Sequence, residues 1–301
     1  MLMPRSVLVT GGAGFIGARL ALALARAGAQ VLALDDLSAP GSASPPSHSR
    51  LALRVADVRD AGAVAEAAAG RDLVLHLAAV VGVEQVIADP ARTWSVILDG
   101  TRTVLAACRA PRTPLVAFSS SEVTDAPRQG PRAAYADSKR AAEALLLGAA
   151  HELPVTIVRP FNVVGAGQSA QQGMVLPVLA AAARAGRALP VHGDGRQQRC
   201  FLHVDDLVET LLALLAAHGG RAAPGGEVLE IGGVERVAIG EVAARLAARG
   251  APGARVQADA SAPLREDRER RAPDLAALRA RVAFAPRRGL DAILQEVLDG
   301  A

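Results

Sequence analysis

Thr10-Gly11-Gly12-Ala13-Gly14-Phe15-Ile16-Gly17 joins an apolar run, Ser6-Val7-Leu8-Val9-Thr10, to a stretch from Phe15 onward that is rich in Ala and Leu at helical spacing. A strand, a glycine turn and a helix in that order bring bare backbone to a helix N-terminus. Unpaired N–H groups and the helix dipole favour a pyrophosphate there. Gly11, Gly14 and Gly17, with Phe15 and Ile16 between them, are therefore candidate cofactor contacts. Asp35 stands 18 residues beyond Gly17, at the end of a second apolar run, Val31-Leu32-Ala33-Leu34. A carboxylate at that place accepts both ribose hydroxyls of an adenosine and repels a 2′-phosphate, which predicts NAD in preference to NADP. Asp36 is the alternative partner.

Outward from this turn, short apolar runs alternate with Ala-rich helical stretches, the rhythm of a doubly wound parallel sheet. Strands are expected at about 6–10, 30–35, 51–56, 72–77, 114–119 and 154–159, and helices at about 14–28, 60–69, 90–110 and 132–150. The expected class is α/β, with a Rossmann-type NAD-binding domain over residues 1–165. After Arg159-Pro160 the pattern changes to a Gly- and Gln-rich loop at 165–173, a helix near 174–186 and shorter mixed elements. Residues 166–301 are thus expected to form mainly a smaller mixed α/β substrate domain, with a segment near 200–218 packing back on the first. Pro40 to Ser49, rich in Ser and Pro, reads as a surface loop.

The chain has one tyrosine and, among 33 basic residues, one lysine, and the two stand four apart in Tyr135-Ala136-Asp137-Ser138-Lys139. Positions i and i+4 share a helix face. An ammonium beside a phenol lowers its pKa and lets the phenolate act as a general base near neutral pH. Arg, a bulkier fork, would replace such a compact ammonium poorly.

The three-and-three glycine spacing, taken with Tyr135 and Lys139, resembles the extended short-chain dehydrogenase/reductase family, which includes the NAD-dependent nucleotide-sugar epimerases, dehydratases and decarboxylases. The resemblance implies that Asp57 and Val58 contact adenine and that Leu77, Ala78 and Ala79 line the cofactor path, whereas the adjoining His76 is a satisfied strand-end residue. It carries to Ser121, in Ser119-Ser120-Ser121-Glu122-Val123, the hydroxyl that orients the reacting alcohol. Glu122 matches an acid that dehydratases and uronate decarboxylases of the family use near the sugar; a strand-end or capping carboxylate is the other reading. Arg159-Pro160-Phe161-Asn162-Val163-Val164-Gly165 resembles the substrate loop, in which Asn162 would touch the nucleotide phosphates, and Arg199 matches the diphosphate-binding arginine. Asp205 or Asp206 is expected to cap a helix after His203. Arg265, in a segment where Arg alternates with acids, either holds the nucleotide or belongs to a solvated charged stretch.

These matches imply transient oxidation of a sugar hydroxyl, at C4, with Tyr135 as base, Lys139 and Ser121 supporting it, and reduction from the other face to give the epimer. A 4,6-dehydratase or uronate decarboxylase would use the same keto intermediate. Two further readings are an NAD(H)-dependent ketoreductase acting on a non-nucleotide substrate and an NAD-sensing scaffold. The chain departs from its relatives in having Thr124-Asp125 after Ser-Glu-Val, a separation of only 14 positions from Ser121 to Tyr135, Ile97 where Asn is common, Val164 where Tyr is common, and Glu230 in place of a turn Asn. These departures leave the cofactor and catalytic expectations intact and the sugar open.

Composition narrows the classes further. Two cysteines, Cys108 and Cys200, supply neither a disulfide framework nor a zinc-site spacing, so no metal is expected. No signal segment or membrane span is evident, which points to a cytoplasmic protein. A net charge of only +3, with arginines scattered among acids, argues against nucleic-acid binding. A nucleotide sugar is the expected partner, and a homodimer is the family's usual assembly.

Overall fold

The computed structural model describes residues 3–39, 47–124, 129–220, 222, 225–259 and 270–300. Its centre is a seven-stranded parallel sheet: β1 (Ser6–Thr10), β2 (Gln30–Asp35), β3 (Leu51–Val55), β4 (Leu73–His76), β5 (Leu115–Phe118), β6 (Val155–Phe161) and β7 (Glu227–Gly232). The spatial order β3-β2-β1-β4-β5-β6-β7 reverses between β1 and β4. That reversal leaves a crevice beyond the carboxyl ends of the strands, where open α/β sheets place their ligands. The first six strands lie where the sequence expected them. The seventh comes from the second half of the chain and pairs with β6 from Glu227 opposite Thr156 to Gly232 opposite Phe161.

Both faces of the sheet are covered, which is why its strands read as continuous apolar runs. On one face Val7, Val9, Leu73 and Leu75 pack with Leu20 and Leu24 of helix Phe15–Arg26 and with Leu207, Leu211 and Leu214 of helix Val204–Ala217. On the other face Leu8, Leu34 and Val74 pack with Val64, Val104, Leu105 and Leu146. A separate core in the second half joins Leu176, Leu179, Val242, Leu246, Ile293 and Leu294 from three helices.

The expected helix at 90–110 is built in three pieces: Pro90–Trp94, a π-helical turn Ser95–Asp99, and Gly100–Arg109. Gly100 is required at the last junction, because a Cβ there would lie 2.7 Å from Cγ1 of Val58. The helix after His203 begins at Val204, so the expected cap on Asp205 or Asp206 is filled instead by His203, whose Nδ1 accepts the Asp205 N–H at 3.1 Å. Asp206 is buried and pairs with Arg288 at 2.8 Å.

Candidate active site

A cleft of about 510 Å³ runs along the strand ends from the glycine turn to Arg199. At its cofactor end the turn closes only with glycine. Gly11 has a positive φ of 69°, and a Cβ on it would sit 2.7 Å from the Ala78 nitrogen, while one on Gly17 would overlap the Gly11 carbonyl. Gly14 caps helix Phe15–Arg26 without a side-chain bond, so the first-turn N–H groups are left for a ligand. Asp35 is held rigidly at the tip of β2, its Oδ2 accepting the Ala13 N–H at 3.0 Å and its Oδ1 the Leu37 N–H at 2.8 Å. A carboxylate has lone pairs to spare beyond these two, which ribose hydroxyls can fill. Asp36 is engaged with the Ser38 hydroxyl at 2.7 Å and with Arg92 at 3.5 Å.

Asp57 forms a close pair with Arg59 at 2.6 Å, and that hydrogen bond holds its carboxyl below the ordinary range. Val58, Leu77, Ala78 and Ala79 line the same cleft as Phe15 and Ile16. His76 is buried between the Thr10 and Thr101 hydroxyls at 2.7 and 3.1 Å, and burial followed by the charge of Lys139 pushes it down to about 3, so it stays neutral. Unpaired helix N–H groups, a fixed carboxylate at the tip of β2 and an apolar wall together fit NAD.

The reactive residues come from β5 and from helix Ala133–Gly148. Lys139 is 6% exposed and donates to the Phe118 carbonyl at 2.6 Å, pinning the helix to the end of β5. Burial pushes this ammonium down to about 8, against a raising effect of Glu143. Tyr135 moves opposite to the expected direction: burial, then the Glu122 charge, push its phenol up to about 12, against a hydrogen bond with Ser120. Spacing alone could not foresee this, because it says nothing of how deeply the phenol is buried or of the acid that faces it.

The serine that restrains the shift of the phenol is Ser120, which lines the cleft beside Tyr135. Its Oγ also accepts the Glu122 N–H at 3.1 Å. Ser121, to which the resemblance carried the role, is buried at the start of a 3₁₀ turn, Ser121–Thr124, and lines the same cleft. Three consecutive serines offer no local signal for choosing among them. A second residue absent from the sequence reading is Arg140, whose guanidinium donates to the carbonyls of Val123 at 3.1 Å and Glu122 at 3.4 Å and pairs with Asp137. It hangs the turn that carries Glu122 from the helix that carries Tyr135.

One turn beyond Lys139, Glu143 receives Arg159 through two bonds of 2.9 and 2.6 Å. Arg159 also approaches Glu230 at 3.5 Å, and Glu230 accepts the Asp274 N–H at 2.8 Å. The acid found in place of a turn Asn is accounted for by these two partners.

At the substrate end Asn162, with φ 43°, donates from Nδ2 to the Cys200 carbonyl at 3.1 Å, and its own carbonyl accepts the Leu202 N–H at 3.2 Å. Arg199 is 6% exposed and donates to the Gln198 carbonyl at 2.6 Å. Both line the cleft, while Arg265 lies outside the described residues. Among the described residues no group of three or more His, Cys, Asp or Glu could hold a metal ion, and no helix is long and apolar enough to cross a membrane.

Residues 7–232 match the NAD dependent epimerase/dehydratase family, and the chain belongs to it. It is 33% identical over 261 residues to a UDP-N-acetyl-alpha-D-glucosaminuronate decarboxylase of Bacillus cytotoxicus, covering 80% of this chain and 79% of that protein. A UDP-glucose 4-epimerase of Streptomyces lividans is 31% identical over 254 residues, 75% of each chain. Among solved structures, a dTDP-glucose 4,6-dehydratase of Streptomyces venezuelae with NAD bound superposes with a TM-score of 0.81 at 28% identity, covering 97% of this chain and 95% of that one. The protein is therefore an NAD-dependent enzyme of the extended short-chain dehydrogenase/reductase type.

Proposed function

We propose that the enzyme is a nucleotide-sugar epimerase that oxidises a sugar hydroxyl, at C4, and lets the keto sugar be reduced on its opposite face. The observation that carries this reading is the grouping of Tyr135 with Lys139, Ser120 and Ser121 in one cleft that runs from the glycine turn to Arg199. When bound, NAD supplies the hydride acceptor and returns the hydride. Tyr135 takes the hydroxyl proton as the carbonyl forms, and Ser120 orients the hydroxyl. With a phenol pushed up by burial, the base needs positive charge beside it, and Lys139 carries that charge below about pH 8. Asn162 and Arg199 are the residues that would hold a diphosphate, Arg199 through charge-assisted bonds.

A second reading rests on Glu122. It lines the same cleft as Tyr135, close enough for its charge to raise the phenol. An acid in that place can move a proton at the carbon next to the new carbonyl, as β-elimination requires, which supports a dehydratase or decarboxylase. Mass spectrometry and NMR of products from UDP-, dTDP-, GDP- and CDP-sugars, uronic acids included, separate the readings. The epimer without net NADH is expected. Loss of water or carbon dioxide selects the second reading, and steady NADH formation from an unphosphorylated alcohol overturns both in favour of a ketoreductase.

A further inference from the structure

Glu296, on the last helix, Leu290–Asp299, reaches back 130 residues to the loop that follows Asn162, where its Oε1 accepts the Ala166 N–H at 2.9 Å. Its Oε2 meets Nε2 of the buried His203 at 2.8 Å. Because Nδ1 of that ring accepts the Asp205 N–H, the ring proton sits on Nε2 and the imidazole donates to the carboxylate. Burial works to raise the Glu296 carboxyl, but the bonds from Ala166 and His203 outweigh it and hold the group below its ordinary range. The carbonyl of Ala166 is held as well. Arg19, on helix Phe15–Arg26, donates to it from Nη2 and to the Phe15 carbonyl from Nη1 at 3.1 Å, with its guanidinium 4.7 Å from the centre of the Phe15 ring. Arg19 also approaches the Asp205 carboxylate at 3.9 Å, which closes a ring of contacts: Ala166, Glu296, His203, Asp205, Arg19 and back to Ala166.

We infer that Glu296 and Arg19 are positioning residues for the substrate, gripping Ala166 by its N–H and its carbonyl so that the loop 162–168 stands at a fixed height against the cofactor turn. Neither side chain lines the cleft, whereas Asn162, Val163, Val164 and Gln168, on either side of Ala166, all do. What the loop touches rests on the nucleotide-sugar reading; that the loop is held in this way does not. The base of the loop is tied by backbone pairing of Val163–Val164 with Leu202–His203, and Gly165 is pressed against helix Val204–Ala217, where a Cβ would lie 2.8 Å from Cγ1 of Val204. Backbone pairing ends there, so the placement of Ala166 falls to two charged side chains, whose hydrogen bonds are stronger than neutral ones. A contact group displaced by about 1 Å through a change far from the chemistry loses much of its effect. The last helix of the chain thereby takes part in substrate binding from outside the cleft.

Two measurements test the inference: calorimetry of UDP and dTDP on the NAD-loaded enzyme, and hydrogen exchange of the amides at 162–168 set against those of β1. Glu296→Ala should weaken UDP or dTDP roughly tenfold, the scale of one lost bond to a charged group, with NAD affinity unchanged. Exchange at 162–168 should quicken while that of β1 holds. Glu296→Gln keeps one acceptor for two donors and should fall between the native enzyme and Glu296→Ala. Arg19→Met should weaken the same nucleotide, and the double variant should be no worse than the weaker single one, because a ring opened once is already open. Unchanged nucleotide affinity in Glu296→Ala overturns the inference, as do additive losses in the double variant. Exchange that quickens equally in β1 also overturns it, since that is general destabilisation. If the native enzyme binds neither UDP nor dTDP, the nucleotide-sugar reading falls and the exchange decides the grip by itself: amides at 162–168 that exchange no faster in Glu296→Ala overturn it.

Discussion

The two ends of the cleft are built by different means. The cofactor end is mostly backbone: a glycine turn, a helix N-terminus and the tips of β1, β2 and β4, with one carboxylate, Asp35, tied into the turn through the Ala13 N–H at 3.0 Å. The substrate end is mostly side chains carried on two-residue strands, Val163–Val164, Gln198–Arg199 and Leu202–His203, that pair across long stretches of sequence. A backbone cradle serves any ligand with the same pyrophosphate. A side-chain wall can be rewritten residue by residue, which is how one family comes to hold epimerases, dehydratases and decarboxylases. Between the two ends stands the helix Ala133–Gly148, anchored by Lys139 at one place and by Glu143 at another.

The largest expected effect comes from breaking that middle anchor. Arg159→Met strips Glu143, which is 6% exposed, of its bidentate partner. An uncompensated buried carboxylate should cost about 3–5 kcal/mol, read from the urea midpoint at neutral pH. A change below about 1 kcal/mol would show that the helix is held by packing alone.

Next comes the base. Tyr135→Phe should cut turnover by roughly 10²-fold or more while NAD binding holds, the scale of general-base loss. Near-native turnover on the true substrate would remove the proposed mechanism. Because Tyr135 is the only tyrosine, its ionisation can be followed directly by ultraviolet absorbance. With the phenol pushed up to about 12, the folded protein should show no tyrosinate signal until the pH passes the roughly 10 of a free phenol. Glu122→Gln should bring the onset lower.

Lys139 titrates the comparison from the other side. Its folded value, about 8, lies below its ordinary 10.5, so between those limits the unfolded chain binds more protons and native stability falls as the pH is lowered. Lys139→Met removes this dependence. Its stability relative to the native chain, both measured without NAD, should rise as pH drops from 10.5 and level off below about 8. A pH-independent difference would mean that the ammonium is not desolvated.

Two smaller effects separate the ends. Asp35→Asn should narrow the preference for NAD over NADP by about tenfold in calorimetry, because the 2′-phosphate no longer meets a negative charge. Equal native affinity for both cofactors would defeat the assignment. Arg140→Ala should lower kcat roughly fivefold, the scale of about 1 kcal/mol, through loosened placement of Glu122, with NAD affinity unchanged. Partial recovery in Arg140→Lys would support a positioning role; a matched fall in NAD affinity would point to general loosening of the helix.

By itself the sequence determined what contiguous residues decide. The first six strands, the glycine turn and the Tyr135–Lys139 pair each express a short-range rule, whether a short continuous apolar run, a required positive φ or a spacing of four on one helix. Only the tertiary structure decided that Glu227–Gly232 joins the sheet as β7, because strand partners far apart in the chain leave no mark in either segment. It also decided that Ser120 shares a cleft with Tyr135 and that His203, held by Glu296 at 2.8 Å, caps the helix before Asp205, since each depends on where a second element lies. The direction of the Tyr135 shift belongs to the same class. A lysine four residues away is visible in the sequence, but burial and an opposing carboxylate exist only once β5, its turn and the helix have packed together.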